Sequence, residues 1–236
     1  MSPINCRRST IGILCAVGSP ELTRDEDNAR LLFSYATQTS YYIEASELDR
    51  KIKLLYSSTI RAITKALDKK DFYTSAHSEL SLEYLERFAH ACGLNRLEIE
   101  ALHIGALLHD IGKIGIPDQV LSKTEKLTKE EFLMLKGHPG MGYEIIQDLP
   151  LPEEVKLIVK HHHERFDGTG YPDGLKEEDI PLLVRIFSVL DTYEALVGKR
   201  PYKASCSPEE ARKEILEHAG TQFDPDIVKV FLTILK

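Results

Sequence analysis

Leu107-Leu108-His109-Asp110-Ile111-Gly112-Lys113 is an apolar helix end that runs into a glycine and sets a histidine beside a carboxylate. An ionised Asp110 in apolar surroundings is costly unless a cation accepts it, and a metal ion is such a cation. From Asp71 onward nearly every segment around this stretch reads as helix. Leu80, Leu82, Leu85 and Phe88 recur at helical intervals between His77 and Ala91, and Gly93 then offers a stop. Thr128 with Glu131, and Ser207-Pro208 with Glu210, are capping-box patterns, while Asp224-Pro225 places an N-cap before a first-turn proline. Between Asp167 and Pro181 the residues Gly168, Gly170, Pro172 and Gly174 preclude a long regular element, so an ordered loop is expected there. Without an internal repeat or the alternating pattern of a large sheet, the body is expected to be all-α.

Composition narrows the function. The chain has 236 residues, enough for one main domain with some material left over, and its 42% apolar and 28% charged residues suit a folded globular protein. A net charge of −7 argues against a surface that neutralises a DNA or RNA duplex, which needs clustered lysine and arginine. A small anionic ligand needs only a few local cations or a bound metal. The apolar run from Ile11 to Gly18 is too short to span a bilayer and no signal-peptidase site follows it, so a cytoplasmic location without a membrane anchor is expected. Cys6, Cys15, Cys92 and Cys206 show no Cys-x-x-Cys spacing, which suggests neither a disulfide framework nor a thiolate zinc site.

The first 70 or so residues read differently from the rest. Ile11-Gly12-Ile13-Leu14-Cys15-Ala16-Val17 suits a buried strand. From Glu26 to Leu67 no proline or glycine interrupts, and Ala45, Leu48, Ile52, Leu55, Thr59, Ala62 and Ala66 follow alternating steps of three and four. Such a stripe serves either a partner helix in a parallel homodimer through residues 45–66 or the chain's own core.

Several of the nine histidines sit beside carboxylates or one another: His77, His109-Asp110, His138 and His161-His162-His163-Glu164, with Asp191 further on. His90, His103 and His218 lack such company and read as structural residues.

Taken together, these elements resemble the HD-GYP branch of the HD superfamily of metal-dependent phosphohydrolases. The resemblance spans residues 71–236 and rests on Asp71-x-Tyr73-Thr74-x-x-His77-Ser78, on His109-Asp110-Ile111-Gly112-Lys113-Ile114-Gly115-Ile116-Pro117 and on His138-Pro139. It continues through His162-His163-Glu164-Arg165-x-Asp167-Gly168-x-Gly170-Tyr171-Pro172, then Arg185-Ile186 with Asp191, and Arg200-Pro201-Tyr202-Lys203. The implied fold is an HD-type helical bundle with an ordered Gly-Tyr-Pro loop. Ahead of it, residues 1–45 resemble the closing strand and last helix of a GAF sensory domain, and residues 46–70 are read as a linker helix.

The resemblance implies that His77, His109, Asp110, His138, His162, His163 and Asp191 are metal ligands, with Asp110 bridging two ions. Donors of nitrogen and oxygen without thiolate suit iron or manganese. Two cations supply what phosphodiester hydrolysis needs, an acidified water and positive charge on the phosphoryl oxygens. Lys113 lies four positions after His109, so on a helix it would share that face and reach a phosphate oxygen; Arg200 and Lys203 match phosphate-binding positions of the family. Tyr73 stands where other members carry a glutamate that supports a third ion, and Glu194 stands where an aspartate is usual. His161 falls outside the ligand pair. The implied activity is hydrolysis of cyclic di-GMP to pGpG and onward to GMP, with related cyclic dinucleotides as further candidates. A competing reading is a non-catalytic module that binds a diguanylate cyclase domain or another signalling partner.

Overall fold

The computed structural model describes residues 1–6, 9–15, 26–70, 79–198 and 206–235. Tyr73, His77, Arg200 and Lys203 lie outside the described residues. The chain divides into two compact units, Met1–Thr59 and Ile60–Lys236.

The first unit opens with a hairpin of β1 (Ser2–Cys6) and β2 (Ser9–Leu14), antiparallel, with Ser2 opposite Leu14 and Cys6 opposite Ser9. The sequence promised one buried strand over residues 11–17. Instead β2 starts and ends earlier, is paired, and leaves Ile13 60% exposed. Its partner went unrecognised because Pro3 and the polar Ser2 and Asn5 break any apolar run. Helix α1 (Glu26–Lys70) follows, and the boundary between the two units falls within it, at Thr59 and Ile60.

In the second unit the last turns of α1 dock through Ile60, Thr64 and Leu67, a helical i, i+4, i+7 face. Thr64 Oγ1 donates to the Leu107 carbonyl at 2.9 Å. This face is not the one read from the stripe: Ala62 and Ala66 are exposed, as are Leu48, Ile52 and Leu55 earlier in the helix.

Among its described residues the rest of the second unit is mainly helical, as expected. It comprises α2 (Glu79–Ala91), α3 (Arg96–Leu108), a 3-10 turn (Ile111–Gly115), α4 (Asp118–Leu121) and α5 (Lys129–Lys136). Then come α6 (His138–Ile146), α7 (Glu153–His161), α8 (Leu182–Val197), α9 (Pro208–Glu217) and α10 (Pro225–Ile234). The caps on Thr128, Ser207 and Asp224 form where their residue types placed them, and Asn95 with Glu98 adds a capping box the sequence reading passed over.

Helix α8 is apolar nearly all round, burying Leu183, Val184, Ile186, Phe187, Val189, Leu190 and Tyr193, which makes it the central helix of the unit. Phe231 of α10 stacks edge-on against Phe88 of α2 at 4.7 Å and against Tyr193 at 5.2 Å, tying three helices into one core. Arg185 of α8 donates to Asp224 at 2.5 Å, and the same carboxylate caps α10, so a buried charge is both paired and hydrogen-bonded. The loop after α7 is ordered: Phe166 and Asp167 donate their N–H groups to Gln222 and Thr221. Among the described residues no helix is long and apolar enough to cross a membrane.

Candidate metal centre

Three breaks in helical structure deliver the site. Helix α3 ends at Leu108 and tightens into the 3-10 turn, with Lys113 N–H donating to the Asp110 carbonyl at 2.9 Å. His138 opens α6 directly after Gly137 ends α5. His162 and His163 follow the last residue of α7, and Asp191 projects from the middle of α8. The turn at Ile111 changes one expectation. With a three-residue period Lys113 meets Asp110, and its Nζ donates to Asp110 Oδ2 at 2.7 Å.

The cluster is tight. His109 Nε2 lies 3.2 Å from Asp110 Oδ2 and 3.8 Å from Asp191 Oδ1, while His138 Nε2 lies 3.3 Å from Asp110 Oδ1. Asp110 therefore stands between two imidazoles, one to each oxygen. His138 and His162 bring their Nε2 atoms within 3.1 Å, and ligand atoms of His138, His162 and His163 all lie within 4.8 Å of one another. His109, His138 and His162 are buried.

Backbone carbonyls set the tautomers. His109 Nδ1 donates to Ala106 O at 2.8 Å, His138 Nδ1 to Leu135 O at 2.8 Å and His162 Nδ1 to Val159 O at 3.0 Å. A carbonyl only accepts, so Nδ1 carries the proton in each, and in a neutral ring Nε2 carries the lone pair. Two inward lone pairs 3.1 Å apart repel unless a cation lies between them. The donor set thus fits a divalent metal, each ring already oriented by a carbonyl behind it.

Electrostatics agree. Burial, reinforced by the neighbouring imidazoles, holds His162 well below the usual histidine range and His163 down to about 4, so both stay neutral and able to ligate near pH 7. Burial opposes the ionised form of Asp110, but His109 and Lys113 outweigh it and keep the carboxyl well below the usual carboxylate range. Burial likewise opposes charge on His109, yet Asp110 and then Asp191 raise it to about 9. That strong affinity for a proton at Nε2 marks the position where a cation facing both carboxylates would sit.

The structure brings together His109, Asp110, Lys113, His138, His162, His163 and Asp191 of the anticipated set. His161 turns elsewhere, its Nε2 at 3.0 Å from Asp173 Oδ2, in keeping with a residue outside the ligand pair. His103 faces Glu86 at 3.9 Å and His218 bonds the Glu214 carbonyl, both away from the cluster. Sequence reasoning missed what Gly112, Glu164 and Tyr171 contribute. Gly112 packs on the main chain of His138, where a Cβ would lie 1.9 Å from the carbonyl oxygen. Glu164, 3% exposed, accepts the N–H groups of Asp173, Gly174 and Leu175 at 2.7, 3.0 and 3.1 Å. The aromatic ring of Tyr171 lies against that of His163.

A helical unit that gathers histidines and carboxylates in this way can hold divalent metal. The chain belongs to the HD domain family, whose profile matches residues 61–227. It is 39% identical over 176 residues to the cyclic di-GMP phosphodiesterase response regulator RpfG of Xanthomonas campestris, covering 74% of this chain and 47% of that protein. It is 32% identical over 244 residues to the 3'3'-cGAMP-specific phosphodiesterase 2 of Vibrio cholerae, covering 91% of this chain and 47% of that protein. Among solved structures it is similar to Bd1817, an HDG"Y"P protein from Bdellovibrio bacteriovorus, with a TM-score of 0.54 and 25% identity over 66% of this chain and 50% of that one. The chain spans about half the length of the curated relatives it matches.

Proposed function

We propose that this chain is a metal-dependent phosphodiesterase that hydrolyses cyclic di-GMP to pGpG, and onward to GMP, in bacterial second-messenger signalling. The observation that carries the reading is the placement of Asp110 between His109 and His138, beside a second group of imidazoles whose lone pairs converge. Seven ligands, His77, His109, Asp110, His138, His162, His163 and Asp191, are assigned to two ions, iron or manganese, with Asp110 shared. The curated relatives support the substrate class, since their names specify cyclic di-GMP or 3'3'-cGAMP.

Bound divalent cations would supply an acidified water and positive charge at the phosphoryl oxygens. The chain's own residues do the rest. Nδ1–H bonds to carbonyls hold three imidazoles in register, and the low-lying Asp110 carboxyl presents both oxygens at neutral pH. Lys113, now on Asp110 Oδ2, is within reach of the same position and offers an ammonium to the scissile phosphate. Arg200 and Lys203 are assigned to the phosphates as well. The exposed Leu48, Ile52 and Leu55 of α1 support pairing of two copies along that helix.

His109→Ala and Asp110→Ala test the reading. Each is expected to abolish cyclic di-GMP hydrolysis and to lower bound metal. An Asp110→Ala protein that keeps its metal and near-normal turnover would refute the shared-ligand assignment. Turnover of cyclic GMP-AMP in preference to cyclic di-GMP would keep the chemistry and change the substrate.

A further inference from the structure

His163 is oriented differently from its neighbours. In His109, His138 and His162 a backbone carbonyl receives Nδ1–H and fixes the ring. For His163, among the described residues, no carbonyl or carboxylate does this; its contacts are rings. His162 lies 4.2 Å away by ring centroid, His138 lies 5.1 Å away edge-on, and Tyr171 lies 4.8 Å away at an interplanar angle of 31°. An imidazole that ligates a metal needs something behind it to set its plane.

Tyr171 is itself held with unusual firmness for a loop residue. Its N–H donates to the His163 carbonyl at 3.2 Å. Gly170, just before it, lies on the main chain of Glu164 and Arg165, where a Cβ would come within 2.3 Å of the Arg165 nitrogen. The Glu164 carboxylate takes three successive N–H groups from Asp173, Gly174 and Leu175 on the far side of Tyr171. Both flanks of the tyrosine are therefore clamped to the residues that immediately follow His163. The ammonium of Lys136, two residues before His138, sits 4.7 Å from the Tyr171 ring centroid and restrains the ring from α5.

We infer that Tyr171 is the positioning residue for His163: the face of its ring, held by the Glu164 clamp, does for this ligand what a carbonyl does for the other three. The Gly-Tyr-Pro loop is then an internal brace of the metal centre. The inference rests on the proposed metal reading, and it assigns the work to the ring and not to the phenol hydroxyl.

The test is metal affinity of the 236-residue chain, measured by titration of the metal-stripped protein with manganese, alongside Tyr171→Phe, Tyr171→Ala, Glu164→Gln and His162→Ala. Tyr171→Phe keeps the ring and is expected to bind manganese as the parent does. Tyr171→Ala and Glu164→Gln are expected to weaken one site by about 10- to 100-fold, the range typical of lost orienting contacts. Far-ultraviolet circular dichroism confirms that the helices remain, and Tyr171→Phe, which should rescue the affinity lost in Tyr171→Ala, separates ring positioning from general damage to the loop. Equal affinity in Tyr171→Ala and the parent would overturn the inference. So would a Tyr171→Phe protein as weak as Tyr171→Ala, because the hydroxyl would then be the active group. A parent that binds no manganese, or a His162→Ala protein that binds it unchanged, would instead count against the metal reading itself.

Discussion

Gly112 approaches the main chain at His138 so closely that a Cβ built on it would lie 1.9 Å from the His138 carbonyl oxygen and 2.5 Å from the Gly142 nitrogen. This contact sets the turn carrying Asp110 against the first turn of the helix that carries His138. It is the packing reason why Asp110 Oδ1 and His138 Nε2 meet at 3.3 Å.

Gly112→Ala should therefore damage the site without touching a ligand. Backbone on both sides of the contact cannot give way cheaply, so a loss of about 1–3 kcal/mol is expected from overpacking. Displacing Asp110 by a fraction of the added methyl should lower kcat/KM by about a hundredfold. Thermal melts and metal content of the purified variant check both, and parental Tm with parental turnover would show that the contact does not position Asp110.

Lys113→Ala separates binding of metal from use of it. Lys113 shares Asp110 Oδ2 with any cation bound there, so removing its ammonium is expected to leave metal in place. Loss of one electrostatic contact to the phosphate should lower kcat by about a hundredfold or more. An unchanged kcat in a metal-replete Lys113→Ala protein would remove this role.

Most residues of the cluster were legible in the sequence because they lie in short stretches that carry the family resemblance: a histidine beside an aspartate at an apolar helix end, a histidine before a proline, a histidine pair before a glutamate. What connects those stretches was not. Gly112 and His138 are neighbours only in space, and nothing near Gly112 states which main chain it must approach. Lys113 was placed by an α-helical period that the 3-10 turn at Ile111–Gly115 replaces, and a local tightening of that kind leaves no periodic signal. In α1 the stripe of alternating steps and the docking face at Ile60, Thr64 and Leu67 lie on one helix. Only tertiary packing tells them apart.

Leu48, Ile52 and Leu55, exposed by 53%, 57% and 69%, carry the prediction about assembly. A parallel dimer would cover them at helical spacing, and replacing all three with lysine should convert the dimer to monomer while the second unit keeps its fold and turnover. Sedimentation at several micromolar concentrations is the check. A parent chain that stays monomeric at every concentration would contradict the assignment.

The most direct test of the account joins two quantities on one sample: metal bound per chain after anaerobic purification, and turnover of cyclic di-GMP by that same protein. The account expects two ions per chain, release of pGpG, loss of both on chelation and return of both when iron or manganese is restored. Turnover that survives complete removal of the metal, or a fully loaded protein that leaves cyclic di-GMP intact, would contradict it.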